Sequence, residues 1–183
     1  MAKKTLLLLA LVLMNNVMFF AQSKTMSSVK KSYLPCPTGW TTYAGSPSCY
    51  KKPQLANSWY TARKACLADG GDLVTISSEQ ENNFVALLSQ TYFPTIHNTL
   101  IGMIAEELTG KKQGKFHWVD GRPIGQYVNW IAGEPNNQNN AEYCGAIYVA
   151  DKRPGLKWND TPCVGTKSPY VCERERAKRV IAD

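Results

Sequence analysis

The sequence has two histidines in 183 residues, and neither a CxxC nor an HxxxH pair. His97 and His117 stand apart from every cysteine, so zinc has no ligand spacing to use. No serine, cysteine or histidine constellation of the kind that nucleophilic catalysis needs is present. Internal repeats, heptads, low-complexity tracts and collagen-like segments are also missing, so no oligomerisation stalk is visible. Beyond Phe20 no second long apolar run occurs, which leaves the mature protein without a membrane span.

Acidic residues are the scarcer charge, 14 against 21 lysines and arginines, for a formal net charge of +7. Much of the excess sits at the ends, in Lys3, Lys4, Lys24, Lys30, Lys31 and the run Arg174-Glu-Arg-Ala-Lys-Arg179. Nucleic-acid binding needs a basic face on the folded domain, and basic termini are more simply read as solvated tails.

The chain opens with Lys3 and Lys4 before an apolar run from Leu6 to about Phe20, closed by the small-residue site Ala21-Gln22-Ser23. This reads as a signal peptide over 1–22 and places the protein outside the cell. A polar spacer, 23–35, precedes a domain over 36–174 and a basic tail, 175–183. The domain is long enough for one core and too short for two. Six cysteines fall in it: Cys36, Cys49, Cys66, Cys144, Cys163 and Cys172. An even count behind a leader predicts three disulfides, although spacing alone leaves most of the pairing open.

Cys36 to Lys51 carries two aromatic-rich segments around a Gly-Ser-Pro turn and reads as a hairpin stapled by Cys36 and Cys49. Ser58 is a helix N-cap, with Trp59, Ala62 and Cys66 at helical spacing and a stop at Gly70-Gly71. A short strand, "DLVTI", follows. Ser78 and Glu81 form a capping box opening a second helix in which Phe84, Leu87 and Leu88 share a face. "LIGMI", "KFHWV", "CGAIYV" and "PYVCE" read as short strands. A hairpin, two helices and then strands is an α+β order.

Between Val119 and Cys144 lies a long stretch without periodicity. In a compact domain such a loop is functional or disordered, and Trp130 and Cys144 argue for order. Its end, "GEPNNQNNAEYC", gathers two carboxylates and a run of carboxamides around Pro135, with Ala141 as its one aliphatic side chain. A core does not accept such a string, and a flexible linker has no need of the cysteine. Oxygen donors of this kind suit a hard divalent cation such as calcium, which takes carboxylate and amide oxygens in irregular geometry.

Three motifs together with the cysteine order carry a resemblance: "LIGM" at Leu100–Met103, "NWIAGEPN" at 129–136, and "WND" at Trp158–Asp160. The chain from Cys36 to about Glu173 resembles the C-type lectin-like domain, here with leucine where the family's core motif has tryptophan. The resemblance implies an α+β fold of two helices on small antiparallel sheets with a long calcium-binding loop. It implies the pairs Cys36–Cys49, Cys66–Cys172 and Cys144–Cys163, and a cis bond before Pro135. It also implies one calcium held by Glu134, Asn136, Glu142, Asn159 and Asp160, three carboxylates and two amide oxygens. The same five residues bind sugar, because vicinal hydroxyls take the free coordination positions. The EPN form implies mannose, GlcNAc or fucose, glycans with equatorial 3- and 4-hydroxyls or their equivalent, whereas the QPD form implies galactose. The positions matching an auxiliary calcium site are Ala105, Gln113, Asn137 and Tyr143. That set lacks the charge, so one site is expected unless Glu106 or Glu107 substitutes.

Trp130 and Trp158 read as framework rather than sugar-stacking residues, because each precedes a ligand segment where the loop must be anchored. The sequon Asn159-Asp160-Thr161 is expected to stay unmodified, since a glycan would remove a ligand. Glu134 and Glu142 can be imagined as a glycosidase pair, but their setting among amides favours metal, and the chain is not expected to be an enzyme. The leading expectation is a secreted calcium-dependent lectin that recognises glycans or microbial surfaces, as a homo-oligomer if avidity demands it. The competing one is a protein- or surface-binding module on the same fold, as in venom, ice-binding and receptor relatives.

Overall fold

A computed structural model describes residues 32–44, 46–108, 112–149 and 155–179. The expected leader, most of the spacer, the side chain of Glu107 and residues 180–183 lie outside them. The compact unit runs from Tyr33 to Lys178.

Strands β1 (Trp40–Thr41) and β2 (Ser48–Lys51) form the expected hairpin, and Cys36 pairs with Cys49. Strand β3 (Gln54–Ser58) runs directly into helix α1 (Trp59–Ala68). Ser58 caps that helix: its Oγ accepts from the Thr61 amide, and Thr61 Oγ1 accepts from the Ser58 amide, each at 3.1 Å. Trp59, Ala62 and Cys66 make the buried stripe. The chain leaves α1 through Gly70, at φ +77°. At Gly71 a β-carbon would stand 2.3 Å from the Glu173 carbonyl, so only glycine allows this approach.

After β4 (Asp72–Leu73), Ser78 caps helix α2 (Glu79–Tyr92) by accepting from the Glu81 amide at 3.2 Å. Two expectations fail here. The Glu81 carboxylate does not close a capping box on Ser78. It is buried, and it takes the Tyr50 hydroxyl at 2.6 Å and the amide and hydroxyl of Ser77 at 2.8 Å. Leu87 is 57% exposed. The buried face of α2 is Glu81, Asn82, Val85, Ala86 and Ser89, with Phe84 and Leu88 packing at its side.

"LIGMI" is the middle of an 11-residue strand, β5 (Asn98–Leu108), which forms a hairpin with β6 (Lys112–Trp118). The remaining strands are β7 (Glu142–Tyr148), β8 (Lys157–Pro162), β9 (Val164–Tyr170) and β10 (Cys172–Glu175). Strands β3 and β8 carry no clear period in the sequence, and neither is expected from it. One sheet has the order β1-β2-β10-β4, and the other β3-β9-β5-β7-β8, with β6 beside β5.

Apolar faces of the sheets and both helices bury two clusters. One centres on Ile101, Met103, Phe116, Trp118, Ile147 and Trp158, the other on Trp59, Leu100 and Tyr170 around the cysteines. Each fully buried large side chain contributes on the order of 1.5–3 kcal/mol. Cys66 joins α1 to β10 across 106 positions, and Cys144 joins Cys163 across the mouth of the β7–β8 hairpin. All three pairs follow the resemblance.

Candidate functional site

The site rests on Trp158, which is fully buried in β8. Its indole N–H donates to Asn82 Oδ1 of α2 at 2.8 Å. Its backbone amide donates to the Asn129 carbonyl at 2.7 Å, and its carbonyl accepts from the Ile131 amide at 2.8 Å. The ring of Trp130 packs edge-on against Trp158, centroids 5.9 Å apart, and lies 5.1 Å from Phe116. Both tryptophans are therefore framework, fastening the long loop to the core.

Asp160, two residues beyond Trp158, is fully buried. A buried carboxylate needs donors, and it collects three from outside its own strand. Oδ1 accepts the Asn136 amide at 3.2 Å, and Oδ2 accepts the Asn137 amide at 2.8 Å and Gln113 Nε2 at 2.8 Å. The loop is thus folded back onto β8 through its backbone. The Glu134–Pro135 bond is cis. Asn136 Nδ2 donates to Glu134 Oε1 at 3.0 Å. Glu142, at the start of β7, takes the Gln138 amide on Oε2 at 3.0 Å, and its own amide donates to Asn137 Oδ1 at 2.9 Å. Asparagine also suits the backbone here, because Asn137, Asn139 and Asn140 have φ of 48°, 56° and 53° in the left-handed region.

These contacts bring Glu134, Asn136, Glu142 and Asp160 into one bonded cluster. Asn159 is tied to it through its own neighbour, donating from Nδ2 to the Asp160 carbonyl. Among the described residues no three acidic, histidine or cysteine side chains are gathered closely enough to hold a metal unaided, so amide oxygens must complete any such site.

The electrostatics are uncompensated. Burial raises the Glu134 carboxyl to about 7, and the neighbouring carboxylates of Asp160 and Glu142 add to it. Burial is also the main cause holding Glu142 above the usual carboxylate range. Glu134 Oε2 is buried with no hydrogen-bond partner. Hard oxygen donors, excess negative charge and an orphaned carboxylate oxygen fit a divalent cation.

Two residues important to this geometry stand out in the sequence only as empty positions of a second metal site. Gln113 reaches Asp160 and also donates to the Glu142 carbonyl, while Asn137 bridges Asp160 and Glu142. Nothing in "KKQGKF" signals this, because Gln113 and Asp160 are 47 positions apart. Tyr143 donates to the Asn140 carbonyl at 3.2 Å, and Ala105 is buried in the core. Glu106 lines a separate groove with Gly114, Phe116, Trp130 and Pro135.

Residues 55–174 match the family model of the lectin C-type domain. The chain is 33% identical over 137 residues to a perlucin-like protein of Mytilus galloprovincialis, covering 75% of this chain and 81% of that one. It is 36% identical over 143 residues to one chain of the snaclec coagulation factor IX-binding protein of Protobothrops flavoviridis, covering 75% and 98%. It spans 39% and 41% of the length of two human relatives. Among solved structures it is similar to the C-type lectin CEL-I from Cucumaria echinata, with a TM-score of 0.62 and 27% identity over 75% of this chain and 96% of that one. Fold, disulfides and relatives agree, and the chain belongs to the C-type lectin-domain family.

Proposed function

We propose that this protein is a secreted lectin that binds sugars of the mannose, GlcNAc or fucose type through one calcium ion. Glu134, Asn136, Glu142, Asn159 and Asp160 would hold the ion, with two amide oxygens beside three carboxylates. The observation that carries the reading is the buried, partner-free oxygen Glu134 Oε2, in a carboxylate that Asn136 ties to Asp160 and that the charges of Asp160 and Glu142 act on. The leader expected over 1–22, the three disulfides and the surplus of hard oxygen donors support export to a compartment where calcium is plentiful.

Calcium, when bound, supplies open coordination positions that two vicinal sugar hydroxyls can take. The protein's own part is to set hydroxyl direction. Glu134 is an acceptor only, and the Asn136 amide nitrogen a donor only. A hydroxyl both donates and accepts, so it can replace the Asn136–Glu134 bond without leaving either group unpaired. A single shallow site of millimolar affinity is worth only about −4 kcal/mol, so clustering of several copies would add the avidity that recognition of a glycan surface needs.

A glycan array probed with calcium and again with chelator tests the reading. Binding to mannose-type glycans that chelator abolishes is expected. Galactose-selective binding would overturn the specificity, and binding indifferent to chelator would overturn the calcium dependence.

A further inference from the structure

Gln113 stands in β6, paired across the hairpin with Glu107, yet its amide reaches past β5 to the acid-bearing strands β7 and β8. Both of its partners, Asp160 Oδ2 and the Glu142 carbonyl, accept only, so the amide must present its nitrogen, and that one NH₂ group holds both. A carboxylate has about four acceptor sites, two on each oxygen. On Asp160 the Asn137 amide and Gln113 fill Oδ2, and the Asn136 amide takes one site on Oδ1. One site on Oδ1 is left.

We propose that Gln113 is a positioning residue for the calcium site. By saturating Oδ2 it commits Asp160 to offer Oδ1 alone, and by gripping the Glu142 carbonyl it fixes the spacing of the two strands that bear Asp160 and Glu142. This rests on the calcium reading and adds a neutral tie that orients ligands without touching the ion. Such ties outside the ligand set are worth about 10- to 100-fold in metal affinity.

The test is the Gln113→Met variant, which keeps the length and loses the donor, beside Gln113→Asn, which keeps the amide and loses the reach. Calcium affinity is read by calorimetry, and thermal unfolding is followed with and without calcium. Both variants are expected to bind calcium about 10- to 100-fold more weakly. The rise in Tm on saturation with calcium, which scales with affinity, should shrink more than the metal-free Tm falls. Hydrogen exchange at the Asn136 and Asn137 amides should quicken in the metal-free protein. A purely structural role would lower both Tm values together and leave the affinity alone. Affinity unchanged within about threefold in either variant overturns the proposal. If the natural protein itself binds no calcium, the calcium reading fails first and this one with it. A calcium-binding natural protein with unaltered variants sinks this proposal only.

Discussion

Asn136 donates its side-chain N–H to Glu134 across Pro135, one donor satisfying one acceptor at 3.0 Å. Reversing that polarity tests what selects the sugar. The double variant Glu134→Gln, Asn136→Asp keeps the oxygen count and the formal charge but exchanges donor and acceptor at both hydroxyls. Its preference is expected to move from mannose towards galactose, with calcium affinity within a few-fold of the natural protein. Inhibition by free monosaccharides measures it. A variant that binds calcium normally and still prefers mannose would assign selection to the rim.

The raised Glu134 carboxyl predicts a pH dependence nearer neutrality than an ordinary carboxylate would give. Calcium must displace the proton, so its affinity should fall as pH drops through about 7, instead of near 4.5, where an ordinary glutamate titrates. The sign reverses for stability without metal. There the folded state binds the proton more tightly than the unfolded chain, so the Glu134 contribution is present at low pH and lost as pH rises through about 7. Calcium titrations and metal-free melting curves at several pH values check both signs. Glu134→Gln should flatten the metal-free curve in this window.

Local signals are legible in the sequence. Ser58 caps α1 because a side-chain oxygen before a helix needs nothing from the rest of the chain. Trp59, Ala62 and Cys66 are readable by period. Failures come where distant groups decide. Glu81 abandons its capping box for Tyr50, 31 positions away, because a buried carboxylate takes the donors that the core offers. Strand β8 hides its identity in polar residues, since Asp160 is buried by loop amides rather than by apolar neighbours. Among the site residues, those that face the solvent-accessible loop are named by motif. Gln113, which steadies them from another hairpin, has no motif to name it.

The two longer-range roles of the disulfides should separate. Opening Cys66–Cys172 with paired alanines frees a loop of 106 residues, worth about 4.7 kcal/mol in the chain-entropy account. Opening Cys144–Cys163, with a separation of 19, costs less, about 3 kcal/mol. That bond closes the hairpin carrying Glu142 and Asp160, however. Denaturant unfolding should rank the first variant as the less stable, and calcium titration the second as the weaker binder. The same order in both measurements would mean that Cys144–Cys163 does not hold the site.

Trp158 links the core to the loop, and its replacement by phenylalanine isolates one bond of that link. Asn82 is fully buried, and its Oδ1 accepts the Trp158 indole N–H, while its Nδ2 donates to the Leu156 carbonyl at 2.7 Å. Phenylalanine keeps most of the apolar contact with Trp118, Tyr127 and Trp130 but leaves that oxygen unpaired. An unsatisfied buried acceptor costs about 1–3 kcal/mol, and the volume lost on truncating the indole adds to it. Trp158→Phe is therefore expected to lose roughly 2–4 kcal/mol by denaturant unfolding. Adding Asn82→Leu should recover part of this loss, because the stranded amide is then gone as well. A double variant no more stable than Trp158→Phe would show that packing around the indole, rather than its N–H, fastens the loop.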